Sequence, residues 1–197
     1  MGREETTGQP RQVRLDHRQV RVLAHPLRLR LLGALRTHGA ATATGLAELL
    51  DTNTGATSYH LRQLADAGLV VEDPDRAAGR QRWWRAAHEI SSWESTDFDD
   101  DPDARAAVEW IQGDQVRLIA EQSERWFAAQ QGWSPAWRDA IGIDDALLHL
   151  GPDRLRALKA EMWQVLMRYR DESTPDEPDA QPVNVHLVAY PLIGPRR

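Results

Sequence analysis

Between Thr54 and Gln63 the chain sets hydroxyl, amide and guanidinium groups at helical spacing. Thr54, Thr57, Ser58, Tyr59, Arg62 and Gln63 make a polar, donor-rich face, with His60 among them. Arg76, Arg80 and Arg82 follow in a short basic stretch. Hydroxyls and amides exchange hydrogen bonds with base edges, and a guanidinium suits a phosphate or a guanine edge. An α-helix fits the major groove with side chains near its N-terminal end on the bases, while a basic hairpin holds nearby backbone or minor groove. The chemistry these residues predict is recognition of double-stranded DNA.

The elements that must position them read from caps and apolar spacing. Asp16 suits an N-cap for a first helix ending near Ala24, where His25-Pro26 breaks it. A second helix runs from Pro26 to about Thr37 with Leu27, Leu31 and Leu35 in one stripe, and Gly39 stops it. Thr44–Leu50 reads as a short third helix. After the polar turn Asp51–Thr54, Asn53 caps a fourth helix that reaches Asp66 or Ala67, with Leu61 and Leu64 turned to the core and Gly68 closing it. Leu69–Glu72 and Arg80–Arg85 read as two strands of a hairpin around the turn-rich stretch 73–79.

The composition frames this reading. The 197 residues suit one or two small domains, and no apolar run approaches the roughly 20 residues that span a bilayer. The polar start predicts no signal peptide, so a cytoplasmic protein without membrane contact is expected. The chain has no cysteine, which excludes disulfides, thiol nucleophiles and thiolate metal sites. Its net charge is -6, yet the halves differ. Residues 1–95 hold 13 arginines against 11 carboxylates, whereas residues 96–197 hold 11 basic and 19 acidic groups. Nucleic acid would therefore meet the first half. There is no Gly-x-Ser-x-Gly elbow, phosphate loop or His-Glu-x-x-His, so no enzyme, catalytic residue, cofactor or metal site is expected.

The acidic run Asp97–Asp103 is read as a boundary, dividing a DNA-binding domain (12–95) from a dimerisation or effector region (96–197). A solvated linker and helix start is favoured there over a cation site. A long helix from about Asp103 to Gln131 is the candidate for dimerisation. Ala146–Leu150 and Val183–Tyr190 read as strands flanking a helix from Gly151 to about Arg170, a small β-α-β unit. If those strands pair, His149 and His186 approach and zinc is conceivable, although strand packing is the simpler role. Trp110, Trp126, Trp133, Trp137 and Trp163 suit either a dimer core or a pocket for an apolar effector that the residues do not name. His60 either touches DNA or packs against the preceding helix. Of Trp83 and Trp84, on opposite strand faces, one is expected in the core.

"LAHPLRLRLLGALRTHG", "TGLAELLDTNTGATSYHLRQLADAGLVV" and "GRQRWWRAAH" together resemble the winged helix-turn-helix of the ArsR family. Ser58, Tyr59-His60-Leu61, Leu64 and Ala67-Gly68-Leu69 match the pattern of that family's recognition helix. The resemblance covers residues 15–90, and the remainder resembles the C-terminal extensions of larger actinobacterial members. Thr52 stands where the family has an apolar residue, and Gly55 falls in the first turn of the recognition helix. The family's cysteine-based metal sensing cannot carry over to a cysteine-free chain. The resemblance implies a homodimeric, DNA-binding transcriptional repressor. The expected fold is mainly α with a β-wing, followed by a long helix and a small α/β extension. The alternative is a winged helix that serves as a protein–protein interaction module, without sequence-specific DNA binding.

Overall fold

The computed structural model describes residues 11–76, 81–173, 177–192 and 194. It forms two compact units, the first reaching to Glu121 and the second beginning at Gln122.

The first unit runs β1 (Gln12–Arg14), α1 (His17–Leu23), α2 (Pro26–His38), β2 (Ala41–Thr42), α3 (Ala43–Leu49), α4 (Thr54–Asp66), β3 (Val70–Glu72), β4 (Trp83–Ala86), β5 (Ile90–Ser92) and the start of α5 (Pro102–Ala129). This is a winged helix-turn-helix with a long helix appended. Local chemistry sets its ends. Asp16 accepts from Gln19 N at 2.8 Å while the Gln19 side chain accepts from Asp16 N at 3.1 Å, a closed capping box. Pro26 opens α2, where its missing N–H leaves nothing unsatisfied. Gly68 takes φ +70° just after α4, a conformation that strains any residue with a Cβ.

β2, β4 and β3 form an antiparallel sheet in that order, with Val71 opposite Arg85. This is the wing. β1 pairs in parallel with β5, Val13 opposite Ser91. Neither β1 nor β2 is among the sequence expectations, because strands of two or three residues leave no alternation to read.

One apolar core fills the unit. Val20, Leu23, Leu31, Leu35, Leu46, Leu61, Leu64, Leu69 and Trp84 are buried in it. Phe98, Ala104, Ala107, Val108 and Ile111 belong to the same core. The expected boundary at residue 95/96 therefore falls inside the first unit. The acidic run is anchored rather than a solvated linker: Arg14 Nη2 lies 2.6 Å from Asp97 Oδ1, and Asp101 Oδ1 accepts from Ala104 N at 2.9 Å.

The second unit holds the end of α5, a turn at Gln130–Gly132, α6 (Pro135–Ala140) and α7 (Pro152–Asp171). The expected β-α-β arrangement is corrected here. The helix forms, but 146–150 and 183–190 are irregular chain without strand pairing. Alternation records which residues share a face. A strand also needs a hydrogen-bonded neighbour, which these segments lack among the described residues. Their apolar side chains stay open: Leu147 is 69% exposed and Val185 57%. No described residue of this unit is buried. Trp126, Trp133 and Trp137 contact in series, with ring centroids 5.2 and 5.9 Å apart. Trp137 Nε1 donates to Asp179 O at 3.3 Å.

Candidate nucleic-acid interface

The roll of α4 about its axis follows from burial. Leu61 and Leu64 are fully buried, so the opposite face turns to solvent. Asn53 Oδ1 accepts from Ala56 N at 2.7 Å and fixes where the helix begins. Gly55 does not prevent that start. Gln19 Nε2 donates to Ala67 O at 3.0 Å and ties the other end of α4 to α1.

This leaves Tyr59 (53% exposed), Thr54 and Arg62 facing outward, with Ser58 half-buried. Thr54, Ser58 and Arg62 are spaced four apart and form one flank of α4. Together with Thr42, Thr44, Gln81, Arg82 and Trp84 they line a groove of about 260 Å³ between α4, the start of α3 and the wing. A helix face and the return strand of the hairpin thus open on one hydroxyl-rich, doubly basic depression. Hydroxyls and guanidinium groups in that arrangement can donate to phosphate oxygens and to base acceptors. On the wing, Arg82 Nη1 lies 3.2 Å from Glu72 Oε1, and the Arg76 guanidinium sits 5.7 Å from the centre of the Trp83 ring. Both pairings hold an arginine near the hairpin without enclosing it.

Thr57 does not belong to this face. It is wholly buried, and its hydroxyl donates to Asn53 O at 3.1 Å inside α4. It lies four residues before Leu61 and seven before Leu64, so the apolar stripe itself carries it inward. That spacing was the available signal. Gln63 is half-buried on the far flank, away from the groove. His60 packs rather than projects, its ring 4.3 Å from that of His25. Arg80 lies outside the described residues. Thr42, Thr44 and Gln81 are groove residues absent from the sequence expectations. Thr42 is the N-cap of α3, accepting from Gly45 N at 3.1 Å, and a cap ahead of the short helix was its mark.

Of the paired tryptophans, Trp84 is the core residue and Trp83 lies half-buried beside Arg76. His149 and His186 are exposed on the unpaired segments. Among the described residues no three His, Asp or Glu side chains gather into a metal-binding group. No helix of the described residues is long and apolar enough to cross a membrane.

Residues 23–73, from the end of α1 through α4 to the first wing strand, match a family model described as a helix-turn-helix domain. The chain carries a helix-turn-helix domain. The helix-turn-helix match covers the hinge of the site, Asn53 to Gln63, and stops before the return arm of the wing. No curated protein matches the chain. Among solved structures, one similar chain is the homodimeric winged helix-turn-helix DNA-binding domain of a possible ArsR-family transcriptional regulator from Mycobacterium bovis. It is 24% identical, with 53% of this chain and 77% of that one covered and a TM-score of 0.32. A possible transcriptional regulator for arsenical resistance is 31% identical over 52% of this chain and 94% of that one, with a TM-score of 0.31. Wild-type MarR from E. coli, in its apo form, is 15% identical over 77% and 87%, with a TM-score of 0.31.

Proposed function

We propose that this protein is a sequence-reading, DNA-binding transcriptional regulator that acts as a homodimeric repressor. The observation that carries the reading is the shared groove: Thr54, Ser58 and Arg62 of α4 meet Gln81 and Arg82 of the wing along one open surface. Tyr59, Thr54 and Arg62 are the base-reading candidates on α4, and Arg76 and Arg82 contact the adjacent backbone. A dimer suits two half-sites about 34 Å apart, one helical turn. The exposed apolar side chains of α7 and its flanking segments give a second copy a surface to cover. Repression follows from a bound dimer standing in the path of polymerase.

The test is binding of the full chain to its own upstream DNA against a scrambled duplex, at two salt concentrations. Selective binding that weakens steeply with salt is expected. Equal binding to both duplexes, abolished by salt, speaks for the rival reading, a winged helix that docks a protein.

A further inference from the structure

His25 and His60 meet ring to ring where α2 begins and α4 passes it, with centroids 4.3 Å apart and planes tilted by 38°. The two rings have different jobs. His25 is the N-cap of α2: its Nδ1 accepts from Leu27 N at 3.2 Å. A ring nitrogen accepts only when it carries no proton, so this cap requires a neutral imidazole protonated on Nε2. His60 Nδ1 is buried and has no hydrogen-bond partner among the described residues. Its ring serves as a packing surface between α4 and the cap.

The charges facing the pair are all of one sign. α2 contributes the Arg28 guanidinium, which acts on both rings, and His25 acts on His60. α1 contributes the backbone carbonyl of Val22, already taken by Arg28 Nε. α4 contributes Tyr59, its ring 5.1 Å from that of His60. No carboxylate appears among the groups acting on either ring.

We propose that the His25–His60 stack is an acid-sensitive latch that holds the reading helix α4 against the start of α2. A second proton on His25 turns the α2 cap from acceptor into donor, facing the Leu27 N–H. A proton on His60 sets a second cation against His25 and Arg28. Either event loosens the packing beside Tyr59 and Arg62, the residues assigned to DNA. The consequence for binding rests on the DNA-reading proposal: acid releases the duplex. General electrostatics predicts the opposite, since protonated histidines attract phosphate.

Burial, then Arg28, holds His25 below the ordinary histidine range, and burial, then His25 and Arg28, does the same for His60. For a base depressed in the native state, the stabilisation is complete above the ordinary value near 6.5. It is lost as pH falls through the depressed native values.

The experiment follows backbone amide signals of the full chain by NMR from about pH 7.5 to about pH 5, with duplex affinity measured alongside. The comparison is His60→Phe, which keeps the aromatic stack, loses no hydrogen bond at Nδ1 and cannot titrate there. His25→Asn, which keeps a cap acceptor, is the second variant. The wild type should show the amides of Tyr59 to Arg62 shifting with a midpoint below about 6.5, and affinity falling on the order of tenfold. Both responses should shrink in His60→Phe and His25→Asn. Amides of α4 that stay still through the histidine titration overturn the latch, as does a His60→Phe profile identical to the wild type. Moving amides with no duplex binding at any pH confirm the latch and overturn the DNA reading instead.

Discussion

Asp101 Oδ2 lies 2.6 Å from Arg21 Nη1, joining the residue that caps α5 to the last turn of α1. His17 Nδ1 approaches the same oxygen at 3.0 Å. The charge cluster at 97–103 thus docks the long helix onto the helix-turn-helix core, and the apolar turn of Ala104, Ala107, Val108 and Ile111 follows it inward.

That docking predicts a pH signature. Hydrogen bonds from His17, from the Ala104 N–H and from Arg21 hold the Asp101 carboxyl far below the usual carboxylate range. The stability it confers is present above the ordinary value near 3.9 and is lost as pH falls below it. Asp101→Asn keeps a cap acceptor for Ala104 but removes the charge. Its melting temperature should fall at neutral pH and depend less on pH below about 4. Thermal denaturation of the two proteins between neutral and acid pH checks this.

Truncation should distinguish the two ends of α5. Cutting after Asp101 removes Val108 and Ile111, whose burial contributes about 1.5–3 kcal/mol each. Ala104 and Ala107 go with them. Against a typical domain stability of about 5–15 kcal/mol, that fragment should be largely unfolded. Cutting after Glu121 retains the whole core and should leave a cooperative melting transition. Circular dichroism of both fragments decides between this account and a domain that ends at residue 95.

Thr57 should matter to the fold and not to the choice of sequence. Thr57→Val keeps the shape and removes one hydrogen bond, at a cost of about 1 kcal/mol or less, since Asn53 O still accepts from Thr57 N at 3.1 Å. Base preference, measured across single-substitution duplexes, should be unchanged. A changed preference would return Thr57 to the interface.

Much of the first unit was legible because its limits are set locally. Asp16, Pro26, Asn53 and Gly68 each mark a helix end by their own side chain or lack of one. Thr57 shows where such reading thins: its hydroxyl suggested an exposed donor, while its spacing from Leu61 placed it inside. The contact between His25 and His60, 35 positions apart, was not foreseen: packing of His60 was expected against the preceding helix, and tertiary packing sets it against the start of α2 instead. The parallel pairing of β1 with β5 had no local signal at all. The segments 146–150 and 183–190 show the reverse failure, alternation without a partner strand. Of the groove, the α4 flank and Arg82 of the wing were among the residues singled out by type. Thr42, Thr44 and Gln81 were not, because only the fold brings α3 and the return arm beside α4.

Arg62 is exposed on α4 and lines the groove with Arg82. Arg62→Ala should weaken duplex binding by about 1–3 kcal/mol and flatten the preference at the base it reads. Arg82→Ala should weaken binding to all sequences alike and lower the salt dependence by about one phosphate contact. Anisotropy titrations over a duplex panel at several salt concentrations separate the two roles. Unchanged affinity in a natively folded Arg62→Ala protein would remove Arg62 from the interface.

The most direct test of the central claim is selection of bound duplexes from a randomised library by the full chain. The account predicts enrichment of one motif, in two inverted copies about 34 Å apart, and loss of that enrichment in Arg62→Ala. Recovery of duplexes without any common motif would contradict it and leave the helix-turn-helix as a surface for a protein partner.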